Sequence, residues 1–187
     1  MRLPEILDNL EIALKRSLRR ERKYAEENAD SYDLVHEWLQ QFAVGTGYEL
    51  AAGNFPCLMA DGSGFVRSIS LGIEAGNFNG IRRDGTDLSI IPSNTLDFII
   101  TNYFETFEYP IRVLLEWNRV LKTGSTLAMI LMDTEHKDYD KRCGPLTSPR
   151  RMNCYTSLTI QRYLERAEFR QVTTEKYDHT LRVKAVK

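Results

Sequence analysis

The residues best suited to chemistry stand in two short stretches. The first is Gly47-Tyr-Glu-Leu-Ala-Ala-Gly-Asn-Phe-Pro56, in which a carboxylate, Glu49, is followed by Ala51, Ala52 and Gly53. Small residues after a strand let backbone come close to a ligand, which is how doubly wound folds hold nucleotides at the carboxyl ends of their strands. Tight turns of any kind also use Ala-Ala-Gly, so the stretch is informative only with its surroundings. The second is Asp133, Glu135 and His136, just after the apolar run 127–132. Active sites of open α/β sheets lie beyond such strand ends, and an imidazole titrates where a general base is useful. A lone loop histidine is more commonly an exposed bystander. Basic side chains gather at Lys15, Arg16, Arg19, Arg20, Arg22 and Lys23, and again at Lys141, Arg142, Arg150 and Arg151. Either group is a solvated surface, the first paired with Glu21, Glu26 and Glu27, or a landing strip for an anionic substrate or partner. Cys57, Cys143 and Cys154 are odd in number and lack metal-knuckle spacing, so reduced core or loop thiols are expected and no metal site.

Stepping outward, the element that must position these residues is residues 94–132. An apolar run at 96–101 reads as a buried strand. Pro110 suits a first helical turn. Ile111, Leu114, Leu115, Trp117, Asn118 and Leu121 make an apolar stripe, with Arg112, Glu116 and Arg119 outside. Lys122 and Gly124 are expected to stop the helix, and residues 127–132 make the next strand. Strand, helix, glycine turn and strand describe a right-handed crossover in a parallel sheet. Leu3, Ile6, Leu7, Leu10, Leu14 and Leu18 predict an amphipathic helix, and a second starts near Ser31 and ends at Gly45. A short strand within 47–56, ending in an acidic residue, small residues and a glycine, and a second strand at 66–71 have only the loop 54–65 between them, too short for an ordinary crossover helix. Residues 74–79 also read as loop. The early sheet is therefore stripped of helices, and the N-terminal helices are the material to cover it. Two runs, 169–174 and 180–186, flank Asp178-His179 as a final antiparallel hairpin.

A chain of 187 residues, 42% hydrophobic, supports one substantial core. The expected organisation is an N-terminal helical extension, 1–45, and one globular unit, 46–187. The 25 basic and 26 acidic residues nearly cancel, which argues against nucleic acid or a membrane surface as partner. The apolar runs are too short to span a bilayer and no signal-peptide segment opens the sequence, so a cytoplasmic setting is expected.

Taken in order, these segments resemble a known family. Asp84-Gly-Thr-Asp-Leu88, Ile91-Pro-Ser-Asn-Thr-Leu-Asp97, Thr101-Asn-Tyr-Phe-Glu105 and Glu116-Trp-Asn-Arg-Val-Leu-Lys-Thr-Gly124 follow the first two strands. The pattern is similar to class I S-adenosylmethionine-dependent methyltransferases of the compact type 11 kind. That family's phrase Pro-Asp-Asn-Ser-Leu-Asp stands here as Pro92-Ser-Asn-Thr-Leu-Asp97, and its Arg-Val-Leu-Lys-Pro-Gly-Gly as Arg119-Val-Leu-Lys-Thr-Gly-Ser125. Residues 155–169 match the family's late helix, with Glu168 where glycine is usual. The likeness covers residues 47–172.

The resemblance implies an α/β, Rossmann-like, mostly parallel seven-stranded sheet with an antiparallel C-terminal hairpin. It implies S-adenosylmethionine as cofactor and methyl transfer to a small-molecule or carbohydrate-like acceptor. By the same resemblance Glu49 orients the amino-acid end of the cofactor, Gly53 lies under it, and Asp84, beside Gly85, takes the adenine amine. Thr101 and Asn102 form the turn beside the methyl donor. A carboxylate suits an ammonium or an exocyclic amine because each pairing is a charge-assisted or well-aimed hydrogen bond. Tyr103 and Phe104 would shape the methyl site, with His136 and Asp133 as the candidate general bases. Departures are specific: Ala51 replaces a loop glycine, and Ser70 stands where a ribose-binding acid is usual, with Glu74 slightly beyond. Thr106 replaces a frequent histidine. These losses keep a second reading open, a catalytically degenerate domain kept for binding or assembly, including self-association through the N-terminal helices.

Overall fold

The computed structural model describes residues 29–50, 57–64, 66–70, 80–82, 85–137, 139 and 152–187. The first basic cluster, the helix expected at 3–18, Ala51, Gly53, Glu74, Asp84, Cys143 and the basic residues at 141–151 lie outside them. The chain divides into Met1–His36 and Glu37–Lys187, and the sheet belongs to the second unit. Among the described residues no helix is long and apolar enough to cross a membrane.

In chain order the elements are α1 (Ala29–Gln40), β1 (Gly47–Leu50), β2 (Ser68–Ser70), β3 (Gly80–Arg82), β4 (Leu96–Thr101), a 3-10 turn (Phe104–Thr106), α2 (Pro110–Val120), β5 (Leu121–Met132), α3 (Ser157–Arg166), β6 (Arg170–Tyr177) and β7 (Thr180–Val186). Among the described residues the strands form one sheet in the order β3-β2-β1-β4-β5-β7-β6. β1 to β5 run parallel to one another. β7 is antiparallel to both β5 and β6. This is a mostly parallel α/β sheet closed by a hairpin. β3, at the far edge, was not located by the sequence reading. The described part of the β1–β2 connection, 57–64, contains turns rather than a helix.

The β4–α2–β5 crossover forms where the apolar pattern places it, with two corrections. The first concerns which face of α2 is buried. Val113, Leu114, Trp117 and Val120 are inside, whereas Leu115 is 47% exposed and Ile111 only partly covered. The reason is Trp117: its indole N–H donates to Gly85 O at 2.9 Å, and its ring packs edge-on against Phe104 and Phe107. Fixing that one large side chain rotates the helix and turns Leu115 outward. The second concerns Gly124. The helix stops at Val120, because Leu121 is already extended (φ −67°, ψ 145°) and begins β5. Gly124, at φ +83°, instead sits inside β5 where the register to β4 shifts between Leu96 and Phe98. A left-handed residue in a strand marks such a bulge, and glycine takes that conformation without steric cost.

α3 opens with a capping box, Thr156 and Thr159 bonding each other's backbone N–H groups. It buries Ile160 and Leu164 against the core. Glu168, just past its end, has φ +65°, which explains why glycine suits the position. β6 is an edge strand, exposed along most of its length, and kinks at Gln171 (φ 48°) where its register to β7 slips. On β7, Arg182 stacks 3.8 Å from the Tyr177 ring centroid and 5.7 Å from that of Trp38, while Lys184 faces Phe42.

Candidate functional site

Parallel pairing brings the carboxyl ends of β1, β2 and β4 together. Leu50 lies opposite Thr101 on one side and Ile69 on the other, with Glu49 and Ser70 one residue away. Glu49 is fully buried. Its Oε2 accepts from the Cys57 N–H at 2.6 Å, and its Oε1 meets no donor among the described residues. Burial pushes its pKa up to about 7, and the hydrogen bonds from Cys57 offset only part of that. The Cys57 thiol is itself held well above the ordinary range by burial and by the Glu49 charge. At the next strand tip the Asn102 Oδ1 is also buried and meets no donor among the described residues. Thr101 Oγ1 donates to Leu50 O at 2.7 Å and accepts from Tyr103 N at 3.2 Å, pinning the two tips side by side. Two desolvated acceptors at neighbouring strand tips therefore meet no donor among the described residues. Each such group is costly in a folded chain unless something with N–H or O–H bonds fills the gap.

Of the other residues singled out from the sequence, Gly85 is described and has a packing role. Its carbonyl receives Trp117, and a methyl group there would come within 2.8 Å of the Phe107 ring. Asp133 and His136 lie away from the β1–β4 tips. Thr101 is level with Met129 on β5, so Asp133, four residues on, stands roughly 13 Å further along. Its carboxylate is almost wholly buried, pairs with Lys176 at 3.2 Å and accepts from Glu135 N at 3.0 Å. It holds the end of β5 against the hairpin. His136 is part of the same turn, its N–H donating to Asp133 O at 3.1 Å. Tyr103 is half-buried, and its carbonyl accepts the Thr106 hydroxyl.

Glu105 is a residue the sequence reading missed. Buried in the 3-10 turn, its Oε1 accepts from Met132 N at 2.7 Å, and its carbonyl accepts from Met152 N and Asn153 N. It thus joins the turn after β4 to the tip of β5 and to the segment leading into α3. An acid inside the aromatic string Tyr103-Phe-Glu-Thr-Phe107 is the local signal that points to it.

The motif residues at the opposite, amino end of β4 act as a clamp. Asp97 accepts from Thr46 N at 2.9 Å and Lys122 Nζ at 2.6 Å, both of which hold its pKa below the usual carboxylate range, Lys122 foremost. Arg119 donates to Glu116, Ser93 Oγ and the carbonyls of Leu88 and Ile91. Ser125, in place of the family's second glycine, donates its hydroxyl to Leu96 O. A separate open groove of about 850 Å³ runs between α2 and α3, bordered by Tyr109, Arg112, Leu115, Tyr163 and Arg166.

No family model and no curated protein sequence matches the chain. Solved structures do. A SAM-dependent methyltransferase from Archaeoglobus fulgidus superposes with a TM-score of 0.69 at 15% identity, over 88% of this chain and 98% of that one. A SAM-dependent methyltransferase from Thermotoga maritima, described as a possible histamine N-methyltransferase, gives 0.61 at 16% identity, over 87% and 98%. The trans-methyltransferase CalH, in complex with SAH, gives 0.55 at 15% identity, over 82% and 55%. The chain has the class I SAM-dependent methyltransferase fold. At these identities the likeness is one of architecture, and the chemistry must be argued from the side chains.

Proposed function

We propose that this protein transfers a methyl group from S-adenosylmethionine to a small-molecule or carbohydrate-like acceptor. The observation that carries this reading is the pair of buried acceptors, Glu49 Oε1 and Asn102 Oδ1, that meet no donor among the described residues, on adjacent strand tips of a methyltransferase-type sheet. An ammonium is a group that donates to such acceptors, and it pairs best with Glu49 in its carboxylate form. Ser70 and, from the sequence pattern, Asp84 would receive the ribose and adenine ends. The cofactor supplies a methyl on a sulfonium that leaves readily, so the protein's task is alignment rather than bond activation. Thr101 fixes the β4 tip, Glu105 fixes the turn carrying Tyr103, and that turn forms the wall beside the methyl. Because Asp133 is engaged with Lys176, the acceptor is one that needs no strong base from that position.

Calorimetry with S-adenosylmethionine and S-adenosylhomocysteine tests the proposal directly. Micromolar binding that weakens in Glu49→Gln and Asp84→Ala is expected. Silence at millimolar ligand would reject methyl transfer and leave the binding-module reading.

A further inference from the structure

Among the described residues of its unit, nothing around Glu49 supplies a counter-ion. Consecutive residues of β1 point to opposite faces of the sheet, and the cation beside the strand, Arg67, stands 5.2 Å over the Tyr48 ring, on the other face. β2 contributes no ionisable side chain. The charged residue of β4, Asp97, is at its amino end and paired with Lys122. Lys184 on β7 shares a row with Glu49 through Ile100 and Ala128. It lies three strands away, roughly 14 Å, and faces the Phe42 ring. The segment 57–64 brings Cys57 and an exposed Asp61, and α1 an exposed Glu37, none of them cationic. The donors that reach Glu49 are the N–H and the thiol of Cys57, both uncharged. Its other oxygen meets no donor among the described residues, and the next strand tip adds a further acceptor, Asn102 Oδ1, rather than a cation.

A fully buried carboxylate in such surroundings loses the hydration of its charge and gains only neutral hydrogen bonds, so the protonated form is favoured. The rise of its pKa to about 7 agrees with that geometry. A protonated carboxyl also has an O–H to offer a neighbouring acceptor. An incoming ammonium reverses the preference. It brings the missing opposite charge together with N–H donors, and the carboxylate becomes the stable form.

We propose, resting on the reading of the β1–β4 tips as the cofactor site, that cofactor binding is coupled to proton release: Glu49 is a neutral acid in the cofactor-free protein, and the ammonium of the cofactor's amino-acid end expels that proton to solvent as the carboxylate–ammonium pair forms. The carboxyl loses one proton, the ammonium keeps its three, and the pair is neutral overall. Affinity therefore rises about tenfold per pH unit below the Glu49 titration and levels above it. The protein sheds its cofactor in acid.

Calorimetry of the full chain with S-adenosylhomocysteine, run in two buffers of different ionisation enthalpy, counts the protons released. Close to one is expected at about pH 6 and close to none at about pH 8, with affinity about tenfold weaker at the lower pH. 5′-Methylthioadenosine, which has the adenosine and thioether but no ammonium, should bind without proton release at either pH. Glu49→Gln should bind S-adenosylhomocysteine about tenfold or more weakly and release no proton. His36→Asn should release it as the parent does. Equal heats in both buffers at about pH 6 would overturn the proposal and leave the cofactor site standing. So would proton release that 5′-methylthioadenosine also causes. Release that survives Glu49→Gln and disappears in His36→Asn would overturn it too, assigning the proton to an imidazole. Absence of binding by both ligands would instead reject the cofactor reading, and this proposal with it.

Discussion

At the amino end of β4, Asp97 receives Thr46 and Lys122, while Arg119 on α2 ties two loop carbonyls and Glu116 into one network. At the carboxyl end of the same strand, a few residues away, Asn102 Oδ1 and the neighbouring Glu49 Oε1 meet no donor among the described residues. One sheet thus has an end where Asp97 and Arg119 are fully engaged and an end where two buried acceptors meet no donor among the described residues. The difference teaches where to look for function. The sequence phrases that most resemble the family, 92–97 and 119–125, build the satisfied end, so they report the architecture rather than the chemistry. The unsatisfied end is signalled by residue types that occur in any turn.

That contrast can be broken by substitution. The largest effect is expected from Trp117→Ala, which empties the centre of the α2 interface and leaves Gly85 O without its donor. A loss of about 3–5 kcal/mol in urea unfolding is expected. A loss under 1 kcal/mol would mean that the helix is not set by this ring.

Next comes pH. Glu49 keeps its proton in the folded chain up to about pH 7 but loses it near 4.5 when unfolded. Between those values the folded state holds the extra proton, so stability falls as pH rises and levels off above 7. The drop from this group is about 3 kcal/mol. Glu49→Gln should remove that slope in pH-resolved unfolding and also weaken S-adenosylhomocysteine binding about tenfold or more. A variant with the wild-type slope would show that Glu49 is not the titrating group.

Arg119→Ala sharpens the contrast from the other end. It should cost about 2 kcal/mol by denaturant titration while changing cofactor affinity less than threefold on the tenfold scale of 1.4 kcal/mol. Equal losses in both readouts would show that the two ends are coupled. Smallest is Glu168→Gly, which relieves a left-handed backbone after α3. It should raise stability by about 1 kcal/mol, read as a higher melting temperature, with no effect on binding.

Much of the crossover was legible because burial imposes a local period. The run at 96–101 and the proline that opens α2 carry their own instructions. The facing of α2 was not legible, since Leu115 and Val113 are equally apolar and only the contact of Trp117 with Gly85 and Phe107 chooses between them. Gly124 was read correctly as left-handed and placed in the wrong element, because a bulge and a helix end make the same demand on φ. Glu105 escaped for a related reason, as did the pairing of Asp133. A buried acid looks like any other acid until its partners, Met132 N and Lys176, arrive from elsewhere in the chain. At the strand tips the sequence offered Glu49 and Asn102 as candidates, but which of their oxygens lacks a donor is a property of the packed sheet.

The kink at Gln171 bears on how the protein behaves in a crowded solution. A straight outermost strand with bare backbone groups invites a second molecule to add itself on, and repeated addition leads to fibrils. Here the backbone swerves near the start of that strand, and Arg170, Glu175 and Lys176 line it with charge. An incoming ribbon would find neither the spacing nor the dry surface it needs, so this border of the molecule discourages templated aggregation.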